Sequence, residues 1–125
     1  MFERSLDRAA YEVLRRYRFH ALATRVLPLA NHGGFSGARL WRVEGEGIDL
    51  CLRAWPTGDP SAQRLQWIHA FLDLARRGGI EFVPVLQCAE HDRTWVEYGG
   101  RLWELSTWMP GRADFHESPS ISRLE

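Results

Sequence analysis

The sequence NHGGFSGARLWRVEGEGIDLCLRA, residues 31–54, carries a glycine-rich bend followed by two strand-like segments. Ala38–Glu44 alternates apolar and polar side chains, and Ile48–Ala54 is largely apolar, so both segments predict strands. Gly45-Glu46-Gly47 between them predicts a tight turn, and strands joined by so short a turn pair antiparallel. This stretch therefore predicts a hairpin that is entered through the bend Gly33–Gly37.

Helical patterns lie on both sides of the hairpin. Arg4–Tyr17 places apolar residues three and four positions apart, which is typical of a helix with one apolar face. A second helix is predicted after Asp59, its expected N-cap, and ends at Gly78-Gly79, because glycine adopts the left-handed conformation that stops helices. Its predicted apolar stripe consists of Leu65, Ile68, Leu72 and Ala75, widened by Phe71.

The remaining strand patterns complete a sheet. They lie at Ala23–Leu29, from Phe82 or Val85 to Ala89, at Thr94–Tyr98 and at Arg101–Ser106. Gly99-Gly100 is a hairpin signal that joins the last two. Because most connections are short, the sheet is predicted to be antiparallel. The predicted fold class is α+β, an antiparallel sheet of about five strands with one packed helix and an N-terminal helix.

Composition and charge exclude several classes of function. Sixteen basic residues balance sixteen acidic ones, which gives no electrostatic reason to expect nucleic acid or a membrane surface as a partner. No apolar run approaches the ~20 residues that span a bilayer, and Met1–Arg18 lacks the apolar core of a secretory signal. Cys51 and Cys88 lie in apolar segments, which favours reduced thiols and a cytoplasmic location.

Three features have the residue types needed to hold a nucleotide. The glycines of the bend can bring consecutive backbone amides to an anion, although a plain hairpin bend has the same composition. Strand alternation turns Arg53 away from Leu50, Leu52 and Ala54, so its cation points either into a cleft or to solvent. Trp103–Gly111 runs from a strand into a proline-glycine exit, which offers backbone groups to a base edge or is an ordinary edge strand and loop.

The order of these features resembles the N-terminal lobe of the aminoglycoside phosphotransferase and choline kinase group, which is similar to protein kinases. The resemblance covers the chain from about Leu27 to Phe115. It implies a kinase-like N-terminal lobe at residues 21–111, preceded by a helical segment at residues 1–20. Residues 112–125 are then the linker to, or the start of, a missing C-terminal lobe.

The resemblance implies a set of phosphate contacts. The bend would cover the phosphates of ATP through Gly33, Gly34, Ser36 and Gly37. Arg53 takes the place of the family's strand lysine, which holds the α- and β-phosphates, and arginine retains the positive charge. In the family this cation pairs with a glutamate on the following helix. Gln63–Leu74 contains no glutamate, so Gln66 or His69 is expected as a polar substitute unless the pair is absent.

The resemblance also implies how adenine is held. The linker that hydrogen-bonds adenine would be Ser106, Thr107, Trp108 and Met109. The purine would be sandwiched by Leu29, Val43 and Leu105. The implied cofactor is ATP, with Mg²⁺ and a small-molecule substrate expected only alongside a C-terminal lobe. The family's His-x-Asp loop and acidic magnesium motif are absent from this sequence, so the chain is expected to be truncated before the catalytic loop and inactive alone.

Two alternatives stay open. One is a non-enzymatic interaction module or remnant of a kinase-like protein. The face toward the missing lobe is then apolar and binds a partner, a second copy included, through Trp108, Met109 and Phe115. The other is an unrelated small antiparallel-sheet domain. The histidines are scattered and no Gly-x-Ser-x-Gly occurs, so neither a metal site nor a serine nucleophile is predicted.

Overall fold

In a computed structural model of the protein, the structure describes residues 2–18, 22–29 and 37–109, with side chains from Leu6 onward in the first range. Helix α1 spans Phe2–Leu14 and helix α2 spans Ala62–Arg77. The strands are β1 Ala23–Pro28, β2 Arg39–Gly45, β3 Ile48–Ala54, β4 Val96–Tyr98 and β5 Arg101–Thr107. These elements confirm the predicted α+β class.

The five strands form one antiparallel sheet in the order β1-β2-β3-β5-β4. Strand β3 pairs with β2 on one side and with β5 on the other, so it lies at the centre of the sheet. The β4–β5 hairpin turns at Gly99 and Gly100, which have φ angles of 63° and 80°. Two-residue hairpin turns require such positive φ angles, which glycine adopts readily. The chain thus crosses over through α2 before β5 returns to pair with β3.

The main hydrophobic core lies between α1 and one face of the sheet. From α1 and the turn after it, the buried side chains are Ala10, Val13, Leu14 and Tyr17. The sheet contributes Trp41, Val43, Leu50, Leu52, Ala54, Val96, Trp103 and Leu105. The rings of Trp41 and Trp103 stack with their centroids 5.4 Å apart. Asp7 of α1 accepts the Trp41 indole N–H at 2.8 Å, so this nitrogen keeps a partner within the packed interface.

The segment predicted as a strand at residues 82–89 is not one. It pairs with β5 only through an isolated bridge between Leu86 and Ser106. A second isolated bridge joins Ala89 to Tyr17, after α1. The Gln87 N–H donates to the Leu105 carbonyl at 2.8 Å, but the pairing goes no further as a ladder. Pro84 has no N–H to donate, which prevents a regular strand from forming through this point.

Helix α2 differs from the prediction at its start and on its buried face. Ser61 caps the helix in place of Asp59, because its hydroxyl accepts the Arg64 N–H at 3.2 Å. Of the predicted apolar stripe, Leu65 is fully buried, whereas Phe71 is mostly exposed. The buried residues of α2 are Leu65 and His69. The apolar face of the sheet is covered by α1, and the polar His69 of α2 contacts Glu104 of β5 at 2.8 Å.

Candidate functional site

The face of the sheet opposite α1 carries the candidate site. In register, Leu40 of β2 and Glu104 of β5 both lie beside Arg53 of β3. Side chains two residues apart on a strand share a face, which adds further residues to this surface. We call it the Arg53 face, and it consists of Leu29, Leu40, Arg42, Cys51, Arg53, Glu104 and Ser106. Leu50, Leu52 and Ala54 belong to the α1 core, as strand alternation predicts.

Arg53 lies between a carboxylate and an aromatic ring. Its Nη1 is 3.8 Å from Glu104 Oε2, and its guanidinium carbon is 4.9 Å from the centre of the Trp55 ring. The side chain is 28% exposed, while its Nε is buried and has no hydrogen-bond partner within the described residues. A guanidinium carries five N–H donors, and one long ion pair uses few of them. Donors therefore remain for an anion that reaches this face.

Glu104 joins Arg53 to α2. Its Oε1 accepts the Trp55 indole N–H at 3.1 Å and lies 2.8 Å from His69 Nε2. On the other side of the imidazole ring, Nδ1 is 2.6 Å from Thr94 Oγ1. A chain of hydrogen bonds thus runs from the segment before β4, through α2, to the carboxylate beside Arg53.

The surroundings of Glu104 keep it ionised. Burial by itself raises the pKa of Glu104, but the hydrogen bond with His69, the charge of Arg53 and the hydrogen bond from Trp55 outweigh it and hold that pKa below its ordinary value of 4.5. The carboxylate is therefore negative at neutral pH, which balances the Arg53 cation and fixes the guanidinium against the sheet.

The acidic partner of Arg53 comes from a place that the sequence did not indicate. Gln66 or His69 of α2 was expected to replace the family's helix glutamate. Glu104 of β5 supplies a carboxylate instead, His69 reaches Arg53 only through it, and Gln66 is exposed. A charged residue between the apolar Trp103 and Leu105 was a signal that Glu104 faces the other side of the sheet. Its neighbour across the sheet depended on the register between β3 and β5.

The backbone at the end of β5 is largely occupied. The Thr107 N–H donates to the Val85 carbonyl at 3.1 Å, and the Trp108 N–H donates to the Asp49 carbonyl at 2.9 Å. Ser106 pairs with Cys51 in the ladder. Among the described residues, the Met109 amide makes no backbone hydrogen bond. Of the four residues predicted to meet adenine, Met109 is therefore the one whose backbone N–H has no backbone partner among the described residues.

The predicted purine sandwich is wrong at two of its three positions. Val43 and Leu105 are fully buried in the α1 core, on the face opposite Arg53. Leu29 does lie on the Arg53 face, where its N–H donates to the Leu40 carbonyl at 3.0 Å. Leu40, which pairs with Arg53, is an apolar side chain beside it on that face, and Cys51, two residues away on β3, is buried there. The error arose because a shift of one residue along a strand reverses the face that a side chain occupies.

The glycine bend is described only at its end. Gly33, Gly34 and Ser36 lie outside the described residues. Gly37 has a φ of 79°, and a Cβ added to it would lie 3.2 Å from Pro56 Cγ, so both its backbone conformation and its surroundings favour glycine. The convergence of the bend and Arg53 on one anion stays a prediction.

A second cation completes the Arg53 face. Arg42 donates to Asp49 from Nε at 2.9 Å and from Nη2 at 2.7 Å, and this bidentate bond lowers the pKa of Asp49. The same guanidinium lies 4.4 Å from the centre of the Trp108 ring and covers it.

Trp108 and Met109 are half-buried, and Phe115 lies outside the described residues. The partner surface predicted from these three is not the most exposed apolar part of the described chain.

Comparisons with family models and with curated proteins find no match for this chain. Among the described residues, no group of three or more histidine, cysteine, aspartate or glutamate side chains is arranged to hold a metal ion. None of the described helices has the length and apolar character needed to cross a membrane.

Proposed function

We propose that this chain is the nucleotide-binding lobe of an ATP-dependent small-molecule kinase of the aminoglycoside phosphotransferase type. The observation that carries the proposal is Arg53, a cation on the central strand. The buried Nε of Arg53 has no hydrogen-bond partner within the described residues, and the ionised Glu104 lies beside the guanidinium. The antiparallel sheet with α2 inserted between β3 and β4 supports it, because the resemblance implies this order of parts.

Arg53 is suited to the phosphates. Glu104 and Trp55 hold the guanidinium in one orientation, so less side-chain entropy is lost when a ligand binds. The planar fork of N–H groups matches phosphate oxygens and forms charge-assisted hydrogen bonds with them. The half-buried Leu29 and Leu40 provide an apolar surface for the base, and the Met109 amide provides a donor for its edge. Arg53 is thus assigned to the phosphates and the apolar surface to adenine.

The proposal concerns nucleotide binding rather than phosphoryl transfer. A site walled by one sheet covers less of its ligand than a closed cleft does, so weak ATP affinity is expected. Transfer to the hydroxyl of a small polar substrate needs a proton acceptor and magnesium ligands, which the resemblance assigns to a C-terminal lobe. We therefore expect binding without turnover in the isolated chain.

Calorimetric titration with ATP, with and without Mg²⁺, tests the proposal. The wild type is predicted to bind with a Kd of about 0.1–1 mM, which is a weak interaction. Arg53→Met should weaken binding about tenfold or more, because charge-assisted hydrogen bonds to phosphate are lost. Arg53→Lys keeps a charge beside Glu104 and should give an intermediate affinity.

The matched control is Arg15→Met. Arg15 follows α1 and pairs only with Glu12, at 3.6 Å on the surface, among the ion pairs of the described residues. Its replacement should leave ATP affinity unchanged. Equal affinity in the wild type, Arg53→Lys and Arg53→Met, each shown to be folded by circular dichroism, would refute Arg53 as the phosphate anchor.

A second candidate function, a non-enzymatic interaction module, is favoured by a different observation. Helix α2 exposes large apolar side chains on its outer side, away from the Arg53 face. Partner binding through that side, together with an absence of ATP binding, would favour this candidate over the first.

A further inference from the structure

A hydroxyl, an imidazole and a carboxylate are joined in that order by two hydrogen bonds. Thr94 Oγ1 is 2.6 Å from His69 Nδ1, and His69 Nε2 is 2.8 Å from Glu104 Oε1. His69 is 5% exposed and the Glu104 side chain 12%, so water competes little for the bond between them. Hydrolases activate a hydroxyl nucleophile through this same order of groups.

The ionised Glu104 determines where the protons of this chain lie. A carboxylate only accepts hydrogen bonds, so His69 Nε2 carries the proton between them. In the neutral imidazole Nδ1 is then an acceptor, and the Thr94 hydroxyl donates to it. The Trp95 ring meets the imidazole edge-on with the ring centres 6.5 Å apart, which helps to fix the imidazole. His69 is thus placed to take the Thr94 proton, and Glu104 to stabilise the imidazolium that forms.

A turn with an uncommon backbone conformation precedes Thr94. His91 and Asp92 have φ angles of 63° and 56°, which residues other than glycine seldom adopt. The Ala89 N–H donates to the Arg93 carbonyl at 2.7 Å and closes the turn. Conformations of this kind concentrate at functional sites.

Two backbone donors follow the turn. The amides of Thr94 and Trp95 make no backbone hydrogen bond within the described residues. The amide of the residue after a nucleophile is a common donor to the oxyanion of an acyl transfer. Trp95 occupies that position relative to Thr94, so both amides are candidates to stabilise the oxyanion.

The Thr94 hydroxyl opens onto a groove between α2 and the segment before β4. The groove has a volume of about 850 Å³, which lies within the range of small-molecule sites, and both Thr94 and His69 line it. Thr94 is half-buried, so a substrate in the groove can reach it. Three arginines balance three carboxylates in the lining, namely Arg76, Arg77, Arg93, Asp73, Asp92 and Glu97. A balanced lining gives no preference for a charged substrate over a neutral one.

We propose that Thr94 and His69, with Glu104 positioning the imidazole, hydrolyse small uncharged carboxylic esters in this groove. Thr94 Oγ1 attacks the carbonyl carbon while its proton passes to His69 Nδ1. The bond from that carbon to the alcohol oxygen then breaks, the leaving alcohol takes the proton, and the acyl group remains on Thr94. Water attacks this acyl ester and gives a proton to Nδ1. The acid leaves as Thr94 Oγ1 recovers the proton. The reaction goes beyond nucleotide binding and uses no ATP.

Hydrolysis of p-nitrophenyl acetate tests the proposal. It is measured in the Cys88→Ser protein, because Cys88 is an exposed free thiol that would itself react with the ester. We expect p-nitrophenolate release that saturates with substrate, and mass spectrometry of acid-quenched protein should find the acetyl group on Thr94. Thr94→Val removes the nucleophile and should lower the rate about tenfold or more. Thr94→Ser keeps a hydroxyl and should retain the activity.

His91→Asn is the matched control. His91 is an exposed imidazole in the turn before Thr94, and asparagine tolerates its positive φ. The rate should not change. Absence of saturable release, an equal rate in Thr94→Val shown to be folded by circular dichroism, acetylation only at residues other than Thr94, or loss of activity in His91→Asn would each overturn the proposal. The assay contains no nucleotide, so its failure leaves ATP binding at Arg53 standing, and the reverse also holds.

Discussion

Among single residues, Glu104 organises most of the candidate site. It faces Arg53 across the sheet, contacts His69 of α2 and accepts the indole N–H of Trp55. Without the charge of the carboxylate, the Arg53 cation keeps no anionic partner among the ion pairs of the described residues, in a largely buried place. Such a loss costs more than one surface hydrogen bond, because the partners left behind keep their desolvation penalty.

The first prediction is that Glu104→Gln destabilises the fold and alters its response to acid. We expect a loss of about 2–4 kcal/mol in the free energy of unfolding at pH 7. Folding lowers the pKa of Glu104, so its contribution to stability is fully present above the ordinary value of 4.5 and is lost as the pH falls through the lowered pKa. Urea unfolding between about pH 3 and pH 7 measures both effects.

Glu97→Gln is the control for this experiment, because Glu97 is an exposed residue of β4. It should change the free energy of unfolding by less than about 0.5 kcal/mol. The difference between wild type and Glu104→Gln should shrink in acid, where both side chains are neutral. A difference that is the same at every pH would contradict an ionised Glu104 with a lowered pKa.

Residue positions were predictable from the sequence where they depend on near neighbours. Alternation along β3 was enough to turn Arg53 away from Leu52, and Gly79 stops α2 with a φ of 98°. Glu104 was not found as the partner of Arg53, because the two residues lie on strands separated by α2 and β4. The register between such strands is set by packing of the whole sheet rather than by any local signal.

Of the two helices, α1 is the one that packs against the apolar face of the sheet. Its residues Ala10 and Val13 are fully buried against the sheet, as their spacing predicts. Helix α2 was harder to interpret, because it carries apolar residues on two sides. Periodicity alone does not tell which of two apolar stripes packs and which stays outside. On α1, the loss in the free energy of unfolding on removing a side chain should depend on how buried that side chain is rather than on its size.

Val13→Ala tests this prediction for α1. We expect it to lower the free energy of unfolding by about 2 kcal/mol, because it leaves a cavity in a packed core. Tyr11→Ala removes a larger side chain from the exposed side of the same helix and should cost less than about 1 kcal/mol. Thermal and urea unfolding of both variants provide the measurement. If Tyr11→Ala costs more than Val13→Ala, α1 does not pack through the face described above.

Among the strand predictions, those that depend on turn residues were confirmed, and one that depended on apolar character alone was wrong. Both hairpins were predicted, since their turn residues and flanking alternation are local. The segment at residues 82–89 was predicted as a strand on its apolar character, yet it makes only isolated bridges. Pro84 interrupts the row of donors that a ladder needs, and that signal was present in the sequence.

Across the whole molecule, the sheet separates two chemistries. One face is apolar and is closed by α1, and the other presents Arg53, Arg42 and Glu104. Short turns allowed the sequence to predict an antiparallel α+β fold. Packing decided that β5 lies between β3 and β4, which brings Glu104 to Arg53. The kinase-like interpretation stays a proposal that rests on this face.

The most direct test of the nucleotide site is an NMR titration of labelled protein with ATP that follows arginine side-chain and backbone N–H signals. If Arg53 binds the phosphates and Met109 the adenine edge, the Arg53 Nε–H and Met109 amide signals should shift saturably. The Trp103 indole N–H, which donates to the Tyr98 carbonyl at 3.1 Å, should not move. Saturable binding that leaves the Arg53 and Met109 signals unshifted, or no saturable shift of any signal with ATP, would refute nucleotide binding at the Arg53 face.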